Sequence, residues 1–237
     1  MEQEKIINVY AGNERTAAFS ALMKNVFLWM TLGLAMTGLT AAYVAGHRSW
    51  IQYLEEHSGL MFGLFIAELG IVWYLSARIM RMSFATAGVM FAVYSILNGI
   101  VLSFIFLAYT METISTTFFV TAGTFGGMAL LGYTVKRDLS TAGRILYMAL
   151  IGLVIATVVN IFVASSALSW ALTYLGVAIF IGLTAYDTQK IKHMLMVYGD
   201  EVNDNTMKLA LLGSLTLYLD FINLFLYLLR IFGGNRD

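Results

Sequence analysis

The sequence predicts an all-α polytopic membrane protein with seven transmembrane helices. Hydrophobic residues make up 59% of its 237 residues and charged residues only 12%, and the mean hydropathy is +0.78. A soluble domain carries about twice that share of charged residues, so this chain lacks the polar surface that water requires. Its apolar residues also form continuous runs instead of alternating with polar ones, which favours helices over a β-barrel.

Seven windows are long and apolar enough to cross a bilayer, for which about 20 residues are needed. They are predicted at Val26–Ala45, Leu60–Ala77, Phe84–Tyr109, Ser115–Val135, Ile145–Ala164, Leu168–Tyr186 and Leu209–Leu229. A cytoplasmic segment, residues 1–21, precedes them, and residues 22–237 are predicted to form a single membrane domain. The connections are short except for the polar stretch between the sixth and seventh windows.

The distribution of lysine and arginine predicts a cytoplasmic N-terminus. Eleven basic residues fall at the N-terminal end or in the second, fourth and sixth connections, against one in the first, third and fifth. Basic residues are concentrated on the cytoplasmic side of membrane proteins. With seven full crossings Arg230 and Arg236 fall on the other side, so a re-entrant last segment is the alternative.

Several functional classes are excluded by composition. The net charge is zero, which removes the electrostatic basis for binding nucleic acid. The chain has no cysteine, so it has neither disulfides nor thiolate sites. No span contains a histidine and no His-Glu-x-x-His motif occurs, which argues against an intramembrane or zinc-dependent enzyme. We therefore expect no catalytic residues and no cofactor.

Acidic residues inside the apolar windows carry the functional information. A charge at the centre of a bilayer costs about 2.5–3.5 kcal/mol, so it needs a partner, water or a neutral form. Three acids meet this description, Glu68 in the second span, Asp187 at the end of the sixth and Asp220 inside the seventh.

Asp220 is the strongest candidate because of its depth, about 16 Å along the helix axis at 1.5 Å per residue. Steps of three and four residues place it on one polar stripe with Gly213, Thr216, Asn223, Tyr227 and Arg230. Such a stripe must face protein or a water-filled cavity, never lipid. The sequence favours an ion or proton site here, and a structural hydrogen-bond seam between helices is the alternative.

Asp187 alone would be interpreted as a solvated residue at a helix end. Because the sixth and seventh helices are consecutive and antiparallel, however, Asp187 can approach Asp220. Two carboxyl groups at short range in a low dielectric share one proton and titrate as a unit. A rise in pH would then ionise the pair and favour cation entry, and carboxylate oxygens suit Ca²⁺. Asp187 and Asp220 are thus also the predicted transient calcium ligands.

Other polar residues are weaker candidates. Glu68 is interpreted as either a buried, hydrogen-bonded acid or a pore residue, and Arg78 as either a topological anchor or a partner for a carboxylate. Asn98 and Asn160 are expected to hydrogen-bond between helices. Close backbone approach is predicted at the glycines of the fourth span, Gly123, Gly126, Gly127 and Gly132.

Two aspartate-bearing segments resemble the signature of the Bax inhibitor-1 family, also called the transmembrane Bax inhibitor motif group. They are Gly182-Leu-Thr-Ala-Tyr-Asp187-Thr-Gln-Lys-Ile-Lys192 and Leu215-Thr-Leu-Tyr-Leu-Asp220-Phe-Ile-Asn223-Leu-Phe. The stretch Gly132-Tyr-Thr-Val-Lys136-Arg137-Asp138-Leu-Ser140 is similar to that family's connection between the fourth and fifth helices. The chain looks like a bacterial, YccA-like member, and the resemblance covers essentially the whole membrane region.

This resemblance implies six helices surrounding a central seventh, and a pH-sensitive calcium leak with a two-aspartate sensor that matches Asp187 and Asp220. It also implies an arginine of the second helix that latches the pair when closed, a role open here to Arg78 or Arg81. Asp200, Glu201 and Asp204 in the link between the aspartates are expected to affect how the cytoplasmic mouth opens.

The sequence therefore predicts a calcium leak channel of the bacterial inner membrane, gated by a proton shared between Asp187 and Asp220. Its partners would be the lipid bilayer, calcium ions and protons. A proton-coupled transporter that uses the same carboxylates is one alternative. The other is a non-conducting regulator of membrane proteases or other membrane proteins.

Overall fold

A computed structural model describes the backbone of residues 2–234 and the side chains of residues 14–57 and 59–234. Over this part of the chain the regular structure is helical throughout and contains no strand. The helices are α1 (Glu2–Gly46), α2 (Arg48–Glu56), α3 (Ser58–Arg78), α4 (Phe84–Leu102), α5 (Ile105–Ala108), α6 (Met111–Thr134), α7 (Ser140–Val163), α8 (Ser166–Tyr198) and α9 (Asp204–Gly233). A short 3₁₀ turn, Ile79–Arg81, follows α3.

The prediction of an all-α polytopic membrane protein is confirmed. Within the described residues, 7 helical segments are long and apolar enough to cross a membrane. They are Glu14–Gly46, Gly59–Arg81, Phe84–Ala108, Met111–Thr134, Ser140–Val163, Ser166–Tyr198 and Asp204–Gly233. The last one is an unbroken helix of 30 residues, long enough for a full crossing at 1.5 Å per residue. Arg236, whose position bears on the predicted orientation, lies outside the described residues.

Side-chain caps explain where several of these helices begin. The Ser83 hydroxyl accepts a hydrogen bond from the Thr86 amide at the start of α4. The Thr110 hydroxyl does the same for the Thr113 amide at the start of α6. At the start of α9, the Asn203 side chain accepts hydrogen bonds from two backbone amides, 3.0 Å each. Each cap satisfies amides that have no partner within the helix.

The sixth spanning helix is longer than its apolar window. The window ends at Tyr186, whereas α8 continues to Tyr198. The reason is that its polar continuation is amphipathic, with Ile191 and Leu195 buried one turn apart and Lys190 exposed. Asp187 therefore lies inside a helix and is buried, instead of standing at a solvated helix end.

The first connection contains a helix that the sequence analysis did not predict. Ile51 and Leu54 of α2 are buried and form a small apolar cluster with Val44 of α1. Met61 and Phe104 pack against this cluster. An amphipathic helix in this connection buries its apolar side against the ends of the neighbouring spans.

The chain divides into two compact units. The first contains the chain up to Ala108 together with Lys192–Tyr218. In this unit α1 and α3 both pack against α4. Close contacts of Gly33 with the Phe91 ring and of Gly99 with the Thr37 carbonyl hold α1 against α4. A side chain at either glycine would separate these helices.

Charged residues connect the ends of the helices in this first unit. Arg15 of α1 forms a salt bridge with Asp200 in the link between α8 and α9. Asp204 accepts a hydrogen bond from the Phe84 amide at 3.1 Å and pairs with Lys208 at 2.9 Å. The acidic link thus serves as a set of attachments for α1, α4 and α9, and its predicted influence on opening stays a prediction.

The second unit contains Tyr109–Ile191 and the chain from Leu219 onward. Glycines bring its helices together: a Cβ atom on Gly132 of α6 would lie 2.1 Å from the Ala185 carbonyl oxygen of α8. Gly143 of α7 similarly faces the Tyr186 ring, and Gly176 of α8 faces the Tyr227 ring of α9.

The prediction of close backbone approach is confirmed at Gly132 and wrong at Gly123, Gly126 and Gly127. Among the residues that the structure describes, nothing lies within 4 Å of a Cβ atom built on any of these three. They occupy other faces of α6 than the one that meets α8.

The last helix is the most buried of the spanning segments, and its predicted central position stays a prediction. In its most apolar window 67% of the residues are buried, compared with 6–33% in the other spanning segments. Its residues up to Tyr218 belong to the first unit and those from Leu219 to the second. The assignment of residues 1–21 to a separate cytoplasmic segment stays a prediction, and the side chains of residues 1–13 lie outside those described.

Candidate functional site

Asp187 lies in α8 of the second unit and is held by a tyrosine of α7. Its side chain is 1% exposed. The Tyr147 hydroxyl donates a bifurcated hydrogen bond to both carboxylate oxygens, at 3.0 Å to Oδ1 and 3.1 Å to Oδ2. The contact of Gly143 with the Tyr186 ring, one turn before Tyr147, brings α7 against α8 at this point.

A lysine and two aromatic rings surround the Asp187–Tyr147 contact. The Lys190 ammonium lies 5.8 Å from the centre of the Tyr147 ring and 5.9 Å from that of Tyr186. The two rings meet edge to face, with centroids 6.0 Å apart. The Lys190 charge also acts on the Asp187 carboxylate. This lysine therefore supplies a positive charge at the edge of the site, since its side chain is exposed.

Asp220 lies in α9 within the same unit and is brought close to Asp187. Its side chain is 5% exposed, and its main electrostatic neighbour is the Asp187 carboxylate. The Tyr147 hydroxyl is also within electrostatic range of Asp220. Within the described part of the chain, Asp220 Oδ2 has no hydrogen-bond partner.

This arrangement can hold a proton. Two carboxylates in a low dielectric repel each other when both are ionised, so one shared proton removes most of the repulsion. The unpartnered Oδ2 atom of Asp220 is a free acceptor, and a buried acceptor without a donor is costly. Tyr147 already supplies the donor that a charged Asp187 needs.

The pair alone does not constitute a complete calcium site. Ca²⁺ takes six to eight oxygen ligands, and among the described residues there is no cluster of three or more acidic or histidine side chains. Two carboxylates are therefore better suited to transient coordination of a cation, with water molecules as the remaining ligands, than to stable binding.

Gln189, two residues after Asp187, holds the connection between α6 and α7. Its Oε1 atom accepts a hydrogen bond from the Leu139 amide at 2.8 Å. Its Nε2 atom donates to the Arg137 carbonyl at 2.9 Å. One side chain thus joins two of the segments that carried the family resemblance, and it fixes the α7 end from which Tyr147 reaches Asp187.

Substituting leucine for Gln189 should loosen this connection. The Leu139 amide would lose its partner, and we expect the substitution to destabilise the protein by about 2 kcal/mol. Thermal unfolding in detergent and hydrogen exchange of residues 135–139 would measure the loss. Leucine at the exposed Gln52 of α2 is the control and should leave both unchanged; equal behaviour of the two variants would contradict the role of Gln189.

Two other residues of the polar stripe form hydrogen bonds within α9, and a third contacts α8. Thr216 donates to the Leu212 carbonyl at 3.1 Å, and Asn223 donates to the Leu219 carbonyl at 2.8 Å. Tyr227 stacks on Phe180 with ring centroids 5.8 Å apart. These local hydrogen bonds do not link helices, which weakens the alternative of a hydrogen-bond seam and leaves Asp220 as the distinctive residue of the stripe.

Glu68, Arg78 and Arg81 lie in the first unit. Glu68 of α3 is buried, whereas Arg78 and Arg81 are exposed. The latch role of either arginine stays a prediction. The expectation for Asn160 is confirmed, because its amide donates to Ser169 of α8 at 2.7 Å.

Tyr147 and Gln189 were missed by the sequence analysis. A signal for Tyr147 was present in the sequence. Tyr147 lies near the start of the fifth window, and Asp187 directly follows the end of the sixth, so both are predicted on the same side of the membrane. Matching the depths of polar residues on consecutive antiparallel helices would have paired the two. Gln189 offered no such signal, since its partners are backbone groups of a loop.

Comparison with known proteins identifies the fold family. A family model described as "Inhibitor of apoptosis-promoting Bax1" matches residues 20–237. The inner membrane protein YbhL of Escherichia coli K12 is 50% identical over 93% of this chain and 94% of its own length. RP147 of Rickettsia prowazekii is 44% identical over 91% of this chain and 90% of its own. A membrane protein of Streptococcus pyogenes serotype M6 is 39% identical over 78% of this chain and 79% of its own.

Proposed function

This chain belongs to the Bax inhibitor-1 family of multi-pass membrane proteins, and we propose that it is a pH-sensitive calcium leak channel gated by Asp187 and Asp220. The observation that supports the proposal is that two buried carboxyl groups, one on α8 and one on α9, lie within electrostatic range of each other. A buried pair of acids is costly to retain for structure alone. Acids of this kind within membrane helices typically mark ion and proton pathways.

The gate works through the charge of the pair. With one proton shared, the two side chains attract each other and the pair presents little charge to a cation. As the pH rises the proton leaves, the carboxylates repel each other, and their charge favours entry of a divalent cation. Flux is therefore expected to increase with pH.

Tyr147 acts as a positioning residue in this scheme. Its hydroxyl donates to both oxygens of Asp187, so it holds the carboxylate in one orientation and stabilises its ionised form. Asp220 Oδ2, which has no hydrogen-bond partner among the described residues, is the free acceptor with which the pair holds its shared proton.

The proposed location is the bacterial inner membrane with the N-terminus in the cytoplasm. The relative from Escherichia coli is described as an inner membrane protein. The strong excess of lysine and arginine on one set of connections supports the orientation. Asp187 then lies toward the cytoplasmic end of its span, where a change in cytoplasmic pH reaches the pair directly.

The test is calcium flux into vesicles that contain the purified full-length protein and a calcium dye. We expect flux in the wild type that rises with pH between acid and neutral values. In Asp187→Asn and Asp220→Asn the midpoint of the pH dependence should move to lower pH, since the single acid that remains has no second carboxylate to oppose its ionisation. Glu112→Gln, which alters an exposed acid at the start of α6, is the matched control and should behave as the wild type.

Two outcomes would overturn the proposal. The first is flux no greater than in protein-free vesicles at any pH, with the protein shown to be folded; this would favour a non-conducting regulatory role. The second is flux whose pH dependence is the same in wild type and both asparagine variants. Saturable solute uptake that is driven by a pH gradient and lost in these variants would instead favour a proton-coupled transporter.

A further inference from the structure

Glu68 of the first unit is a second buried acid, separate from the Asp187–Asp220 pair. It lies in the middle of α3, which packs against α4, and its side chain is 6% exposed. The side-chain amide of Asn98 on α4, which is 8% exposed, donates a hydrogen bond to the Glu68 carboxyl group. Two polar side chains from neighbouring helices thus meet inside an apolar region.

Each of the two side chains has one oxygen atom without a hydrogen-bond partner among the described residues. Within the described part of the chain, Glu68 Oε1 and Asn98 Oδ1 are both buried and without a partner. Both atoms are acceptors, so the contact is short of a donor. An ionised carboxylate left in this state is far more costly than a neutral one.

No positive charge compensates Glu68. Among the described residues it forms no salt bridge, and the hydroxyls of Tyr94 on α4 and Tyr218 on α9 lie within its electrostatic range. Tyr218 is already committed: it lies 2.7 Å from the Thr37 hydroxyl, which donates in turn to the Ser95 carbonyl at 2.9 Å. Tyr218 therefore donates to Thr37 and is not available to the carboxylate.

A metal ion fits this contact poorly. Calcium requires six to eight oxygen ligands, and the buried groups here supply one carboxyl and one amide, beside two tyrosines with neutral hydroxyls. A proton fits better, because it converts one carboxyl oxygen into a donor and leaves no net charge. A hydrogen on Oε1 supplies the missing donor to Asn98 Oδ1, while the Asn98 amide nitrogen keeps its hydrogen bond to the other carboxyl oxygen.

We propose that Glu68 is a proton-binding site, held as a neutral carboxylic acid that donates its hydrogen to Asn98 Oδ1. The proton comes from solvent and returns there, so the site has two states that differ by one charge. It lies in the first unit and shares no residue with the Asp187–Asp220 pair. Together with the proposed Asp187–Asp220 pair, this gives the protein two proton-binding sites that are built from different residues.

Infrared spectroscopy of the full-length protein in lipid nanodiscs tests this directly. A protonated carboxylic acid has a carbonyl stretching band that an ionised carboxylate lacks. We expect the wild type to show such a band at neutral pH, and Glu68→Gln to lose it. Glutamine keeps the shape of the side chain and supplies an amide donor to Asn98, so this variant should fold. In Asn98→Leu the band should move to higher frequency, because the acid loses its acceptor.

Two controls separate this site from the proposed gate. Glu112→Gln should leave the band unchanged, since Glu112 is exposed. In the double variant Asp187→Asn with Asp220→Asn the Glu68 band should persist. A band that survives in Glu68→Gln and disappears in the double variant would place the proton on the aspartate pair and overturn the inference, while leaving the proposed gate intact.

Thermal unfolding provides a second measurement. A carboxyl that is neutral in the folded protein and ionised in the unfolded chain stabilises the fold less as the pH rises. The midpoint temperature of the wild type should therefore fall between neutral and alkaline pH by more than that of Glu68→Gln. Superimposable spectra at neutral pH, or parallel unfolding curves for the two proteins, would show that Glu68 is ionised and overturn the inference.

Discussion

Substitution of valine for Gly132 is expected to destabilise the packing of α6 on α8 in the second unit. A Cβ atom at this position would lie 2.1 Å from the Ala185 carbonyl oxygen and 2.8 Å from its carbonyl carbon. Both are backbone atoms of a helix, so they cannot move aside as the end of a flexible side chain can. Overpacking of a well-packed contact costs about 1–3 kcal/mol, and a branched side chain against backbone belongs at the upper end.

The loss would appear as a lower unfolding temperature and a smaller monodisperse fraction after purification in detergent. Valine for Gly127 is the matched control, because it lies on the same helix with nothing within 4 Å among the described residues. We expect this control to stay within about 0.5 kcal/mol of the wild type. Similar behaviour of the two variants would contradict the close packing of α6 on α8.

Substitution of phenylalanine for Tyr147 is expected to move the pH at which calcium flux reaches half its maximum. The change removes the hydroxyl that donates to both oxygens of Asp187 and keeps the ring. A hydrogen bond to a charged group is worth about 1.5–3 kcal/mol, and one pH unit corresponds to about 1.4 kcal/mol. Because the donor favours the ionised form, its loss delays deprotonation, and the midpoint should rise by about one to two pH units.

Flux in vesicles as a function of pH measures this shift, and the maximal rate at high pH distinguishes a shifted gate from a damaged protein. Phenylalanine for Tyr174, which is 58% exposed on the same helix as Asp187, is the control and should leave the midpoint unchanged. A midpoint that stays in place, or that falls, in Tyr147→Phe would show that the hydroxyl does not stabilise the ionised pair.

Local properties of the chain were sufficient to predict the spanning segments. Each of the seven windows lies within one helical segment of the structure, or extends past its end by a single residue, because a bilayer sorts segments by the length and continuity of their apolar runs. Prediction failed where apolar length was not the deciding property. The helix α2 and the extension of α8 to Tyr198 are amphipathic, and their residues become helical by packing one face against the neighbouring spans.

In the candidate site, too, some features could be predicted from the sequence and others could not. Asp187 and Asp220 were recognisable because an acid in an apolar run is costly wherever it lies, and the order of two antiparallel helices places them at compatible depths. The sequence could not show which glycine of α6 packs closely against another helix. Gly132 contacts the backbone of Ala185, whereas no described residue lies within 4 Å of a Cβ atom built on Gly127. Which face of a helix meets a neighbour depends on its rotation about its own axis.

The sequence by itself therefore determined that this protein crosses a membrane, how many segments are able to do so, and which acids are out of place in them. These properties follow from transfer free energies, which add up along the chain residue by residue. Only the tertiary structure decided that Tyr147 holds Asp187, that Gln189 holds the loop before α7, and that Glu68 meets Asn98 without a counter-charge. Hydrogen bonds between helices require two side chains to meet within about 3 Å, and that distance is set by how whole helices pack.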